Sequence, residues 1–228
     1  MTLSRRAKIG IGFLLVIALL FGILVALQPA KIETQSRREP GMVMADDLPV
    51  ANTPPGGYGN SFPPPVLATC TEPLVKGAPD LRGIWKTVSA KRGGKPVASD
   101  DRILNYVERI EQCGNRIVDM GGGTIADARA DGTAKSGVHD VSVFDYKTPI
   151  RVIASYEGNT FALRPLLIPH VNLTLPGVIV TRTLNPDGTM LWTRPDRGGM
   201  TVLLRRIGRP NDPYTRTDLP NSKTGGRI

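Results

Sequence analysis

From Leu81 onward the chain breaks into short apolar stretches separated by turn signals at roughly ten-residue intervals, and this rhythm restricts the fold more than any other feature. The stretches are Leu81–Ser89, Ile103–Gln112, Asn115–Met120, Thr124–Ala130, Val138–Phe144, Ile150–Glu157, Thr160–Leu167, Gly177–Leu184, Thr189–Arg194 and Met200–Ile207. Between them, Asp131-Gly132, Gly158-Asn159, Asn185-Pro186-Asp187-Gly188 and Arg197-Gly198-Gly199 supply residues that tolerate positive φ. Ile150, Val152, Ala154 and Tyr156 fall on one face of a period-two pattern, with Arg151, Ser155 and Glu157 on the other. No long helical stripe interrupts the series. Short antiparallel strands in this number must close or stack to hide their edges, so an all-β, closed up-and-down barrel of about 8–10 strands is expected.

The other strong constraint lies at the N-terminus. Ile9 to Leu27 contains no charge and no side-chain amide. As a helix, at about 1.5 Å per residue, it reaches the thickness of a bilayer's hydrocarbon core. Arg5, Arg6 and Lys8 precede it, and the positive-inside rule then puts everything after Leu27 outside the cytoplasm. A cleaved signal peptide is the alternative, but cleavage after Ala26 or Ala30 would place Leu24 or Gln28 where a small residue is wanted. The expected layout is a cytoplasmic end (1–8), a transmembrane helix (9–27), a Pro/Gly-rich extended linker (28–69), a periplasmic or extracellular barrel (70–207) and a polar tail (208–228). Ala18, Gly22 and Ala26 recur on one face of the anchor, a spacing that lets membrane helices approach closely.

Cys70 and Cys113 are the whole thiol inventory. Outside the cytoplasm such a pair is expected as a disulfide, and inside it as two unrelated buried thiols. The net charge of +9 is spread without a run of five like charges, so a nucleic-acid partner is not indicated and the lipid bilayer is the plainer one.

Asp80-Leu81-Arg82-Gly83-Ile84-Trp85 resembles the G-x-W opening of the calycin superfamily, the lipocalins and their relatives. The resemblance implies a tryptophan, Trp85, packed across the closed end of a barrel against a basic residue of the last strand, for which Arg205 and Arg206 are placed. It also implies an open end able to take a small apolar molecule. From the residues alone, Gly83 and Trp85 are a strand-opening glycine and a core tryptophan.

Other motifs lack the context their chemistry needs. Gly121-Gly122-Gly123-Thr124-Ile125-Ala126 has the letters of a dinucleotide fingerprint with Asp140 further on, yet Asp131-Gly132 interrupts before a helix can form, so a hairpin turn is expected. His139 and His170 have no third ligand at metal-binding spacing, and would serve only as axial ligands if the barrel held haem. The Asn172-Leu173-Thr174 sequon matters only in a glycosylating host. No nucleophile elbow is present. The expectation is a non-catalytic protein without cofactor or metal. Its first functional reading is an accessory subunit of a larger membrane assembly, because linker and tail offer extended chain that a carrier does not need. The alternative is a membrane-anchored binder of a small lipophilic ligand.

Overall fold

The structure, a computed structural model, describes residues 39–54, 57–59, 61–134, 136–139, 149–168, 173–174 and 177–214. The expected anchor at 9–27, with Ala18, Gly22 and Ala26, lies outside the described residues, as do His170, Asp140, Asn172 and the end of the tail. Among the described residues no helix is long and apolar enough to cross a membrane.

The strands are β1 (Gly83–Arg92), β2 (Lys95–Pro96), β3 (Val107–Cys113), β4 (Arg116–Gly121), β5 (Thr124–Arg129), β6 (Ser136–His139), β7 (Pro149–Glu157), β8 (Thr160–Ile168), β9 (Leu173–Thr174), β10 (Val180–Leu184), β11 (Met190–Arg194) and β12 (Met200–Gly208). Ten of them follow one another round an antiparallel up-and-down circuit in which β12 pairs with β1 and β10 with β8. The two-residue strands β2 and β9 hang on its rim as unexpected additions. The seam is thinnest at β5–β6, where Asp127 opposite Gly137 is the one matched pair, so the barrel is nearly closed.

Ile103, expected to begin a strand, lies instead in a 3-10 turn, Arg102–Asn105. Asp101 caps it by accepting the Ile103 N–H at 3.0 Å, and a short polar side chain with that local option competes with strand pairing. The strand begins only at Val107.

Alternation sorts the side chains. Trp85, Ile110, Ile117, Ala128, Val152, Ala154, Phe161, Met190, Trp192, Val202 and Leu204 point inward and form one contiguous apolar cluster. A second cluster lies outside the wall, and in it the described part of the segment expected as an extended linker, 28–69, packs on the barrel. Ala45, Ala51 and Leu67 pack with Cys113, Val118, Met120 and Ile125 on the outer faces of β3, β4 and β5. A proline-rich segment cannot form a ladder of its own, so its backbone groups must find other partners. The barrel supplies them from charged side chains. Arg116, fully buried, donates to the carbonyls of Ala45, Leu48 and Pro49 at 2.7, 3.1 and 2.6 Å. It also pairs with Asp127 at 2.6 Å, and the same Asp127 oxygen, Oδ2, accepts the Ala51 N–H at 2.8 Å. Glu111 accepts the N–H groups of Val66 and Leu67 at 2.8 and 2.7 Å, and Arg109 donates to the Pro63 carbonyl. Burial holds the Glu111 carboxyl above its ordinary range, against those two N–H groups and Arg109. Residues 41–80 are therefore a strap on the barrel.

The strap is also tied covalently, by a Cys70–Cys113 disulfide. Closing a loop of 43 residues contributes about 3–4 kcal/mol in the chain-entropy model. Reduction, or Cys113→Ser, should lower the urea midpoint by that order. Arg116→Met strands Asp127 and three carbonyls, so it should cost about 3–5 kcal/mol and make 41–69 the first segment cut in limited proteolysis.

Candidate functional site

Two structured regions stand out, and the first contains residues singled out by sequence. At one end of the barrel the Arg206 guanidinium lies 4.7 Å from the centre of the Trp85 ring. Arg206 donates to the Asp80 carbonyl at 2.7 Å, and the Trp85 indole donates to the Leu81 carbonyl at 2.8 Å. Gly83 has φ +149, and a Cβ there would come within 2.9 Å of the Arg206 stem, so a glycine opens the strand because the arginine crosses over it. Arg205 is exposed and does not join this contact. A cleft of about 700 Å³ beside it is lined by Asp80, Arg82, Arg206, Arg209 and Asp212. Within the cleft Arg82 pairs with Asp80 at 2.7 Å, and the Asp212 carboxylate accepts the backbone N–H of Arg209 at 2.8 Å.

The second region was not anticipated. Inside the barrel Arg182 of β10 reaches across to β3 and β4, pairing with Glu108 at 2.7 Å and with Asp119 at 2.6 Å. Tyr106 donates its hydroxyl to the same Glu108 oxygen at 2.8 Å. There is no room for a side chain at Gly121, where a Cβ would lie 2.1 Å from the Tyr106 hydroxyl. The Trp192 ring stacks on Tyr106 at 5.7 Å, and Trp192 stands opposite Arg182 on the neighbouring strand. All four polar residues of the cluster are buried.

Two carboxylates share one guanidinium, leaving one net negative charge in an apolar barrel. Burial raises the Asp119 carboxyl to about 7; Arg182 pulls it down and Glu108 pushes it up. Burial, with the charges of Glu108 and Asp119, also raises the Tyr106 phenol well above its ordinary value. The cluster has unmet hydrogen-bonding capacity: the Asp119 Oδ1 acceptor and the Trp192 Nε1 donor have no partner, although each residue is more than nine-tenths buried. Tyr58 of the strap, which feels the Asp119 and Glu108 charges, has a buried hydroxyl in the same condition.

Sequence reading missed this site because its members are scattered over four segments at ordinary spacings. The usable signal was Glu108 and Asp119 at inward positions of apolar strands, together with an arginine at the centre of β10. The Gly121–Gly123 segment is the turn between β4 and β5, and a strand follows it where nucleotide binding needs a helix. His139 lies in β6.

No protein family model matches the sequence, and no curated protein matches it. Among solved structures the chain is similar to the REP1-NXSQ fatty acid transporter, at 16% identity over 56% of this chain and 96% of that one, with a TM-score of 0.36. A point mutant of that transporter gives 18% identity over 56% and 98%, with a TM-score of 0.35. Zebrafish ileal bile acid-binding protein complexed with cholic acid gives 16% over 55% and 98%, with a TM-score of 0.37. The near-closed meander and the Trp85–Arg206 end are the features of this chain that resemble a calycin barrel.

A raised carboxyl pKa means that the folded state binds a proton more tightly than the unfolded chain does. The stability that Asp119 contributes is therefore full below its ordinary value of 3.8 and is lost as pH rises through about 7. Asp119→Asn should remove that slope, so the difference in unfolding free energy between variant and parent should grow in the variant's favour from acidic to mildly alkaline pH and then level off. Urea titrations of both proteins across that range measure it.

Proposed function

We propose that the barrel is a non-catalytic carrier for a small amphipathic, lipophilic molecule whose polar end meets the Arg182 cluster. The observation that carries this reading is the pairing of an orphan acceptor, Asp119 Oδ1, with an orphan donor, Trp192 Nε1, inside an otherwise apolar interior. Unmet buried groups cost about 1–3 kcal/mol each, and a ligand that bonds to them recovers that cost on binding. Stability alone gives no reason for the cluster, because apolar residues of similar volume commonly hold a core as well as a buried ion triad or better. The solved structures similar to this chain include a fatty acid transporter and a bile acid-binding protein, and a carrier role fits that company.

The accessory-subunit reading loses its main argument. It rested on extended chain in search of a partner, and much of that chain, from Met42 to Cys70, is occupied by the barrel's own wall. The carrier is proposed to sit on the outer side of a membrane, held by residues 9–27. The apolar run itself and a disulfide suited to an oxidising compartment support that placement.

Native mass spectrometry of the full-length protein released from mild detergent should show a co-purifying small molecule. Trp192→Phe should lower its occupancy several-fold and remove the ligand-dependent change in tryptophan emission, leaving the Trp85 signal. If no small molecule is retained, or if the emission change persists without Trp192, the carrier reading is wrong.

A further inference from the structure

We infer that the site selects a head group able to donate a hydrogen bond, a hydroxyl or a primary amine, and rejects a carboxylate. This rests on the carrier reading and specifies its ligand. A buried arginine in a lipid-binding barrel invites an anionic ligand, but here two nitrogens of the guanidinium are already committed to carboxylates. Its Nη2 lies 2.7 Å from Glu108 and 2.6 Å from Asp119, and its Nε lies 3.2 Å from both Glu108 oxygens. An incoming carboxylate would be the third anion on one cation, in a medium that screens poorly. Like charges at such range disfavour each other strongly.

The vacant capacity has a different chemistry. Asp119 Oδ1 needs a donor, and Trp192 Nε1 needs an acceptor. A hydroxyl can donate to the one or accept from the other. An ammonium supplies the donor and cancels the net charge, while leaving the indole unmet. The two vacancies belong to one cluster: Trp192 pairs across strands with Arg182 and stacks on Tyr106, which bonds to Glu108, which shares Arg182 with Asp119. The ionisable groups facing Asp119 are Glu108 from β3, Tyr106 before it, Arg182 from β10 and Tyr58 from the strap. The two phenols stay neutral, since burial raises both. The selectivity therefore depends on the carboxylate pair and changes as that pair takes up a proton.

The test uses the full chain in lipid nanodiscs and three water-soluble probes with the same tail: 1-octanol, octylamine and octanoate, followed by Trp192 emission and calorimetry. At about pH 8, with Asp119 and octanoate both ionised, octanol and octylamine should bind at least about tenfold more tightly than octanoate. At about pH 6, with Asp119 protonated and octanoate still charged, octanoate should regain most of that deficit. Asp119→Asn should remove the discrimination at both pH values. Octanoate binding equally or more tightly at the higher pH overturns the inference and leaves the carrier reading standing. Failure of all three probes to bind overturns both.

Discussion

The interior of this protein depends on a single guanidinium. Arg182 spans the barrel from β10 to β3 and β4, and the two carboxylates it holds could not both stay ionised in an apolar core without it. With it, they are compensated only in part. Burial and the remaining charge raise Asp119 and keep Tyr106 neutral, and the Asp119 Oδ1 acceptor and the Trp192 Nε1 donor stay unpartnered. A core built for stability alone would fill this space with Leu or Phe. Polar groups persist at this level of burial where binding rewards them, and the carrier reading follows from that imbalance.

On the outer wall the charges hold the strap, with Arg109 Nε and Glu111 Oε1 left as an ion pair 3.3 Å apart that makes no hydrogen bond. Arg116, Asp127, Glu111 and Arg109 form the outward rows of three strands, yet a strap without regular structure covers them and takes its hydrogen bonds from them. The same strands thus present ions on both faces. On one face they hold a segment that cannot pair with itself, and on the other they form the site. The disulfide from Cys70 to Cys113 joins the strap to the end of β3, the strand that carries Glu108, so the covalent tie and the site share one structural element.

The meander was legible in the sequence because alternation and turn residues are local signals. Most of the expected stretches coincide with a strand; at Ile103 the Asp101 side chain offered the backbone another partner, and most of 138–144 lies outside the described residues. The Trp85–Arg206 end was legible through the G-x-W letters, although sequence could not choose between Arg205 and Arg206; the inward or outward phase of β12 makes that choice. The strap was not legible. Proline, glycine and scattered apolar residues look the same in a free linker and in a segment fixed by arginines far along the chain. The Arg182 cluster was hidden for the same reason. Its contacts run between positions such as 108 and 182, and periodicity contains nothing about which residues meet across a lumen.

The most direct test of the central claim is the ionisation of Asp119 itself, followed by carbon-13 NMR of its side-chain carboxyl in the free protein and with 1-octanol bound. The account predicts a titration near neutrality in the free protein, around the value of about 7 that burial and Glu108 impose. It also predicts a clear downward shift once a hydroxyl donates to Oδ1, because a hydrogen bond to the charged form favours that form. A carboxyl that titrates in the ordinary aspartate range, or one whose titration does not move when octanol is bound, would contradict it.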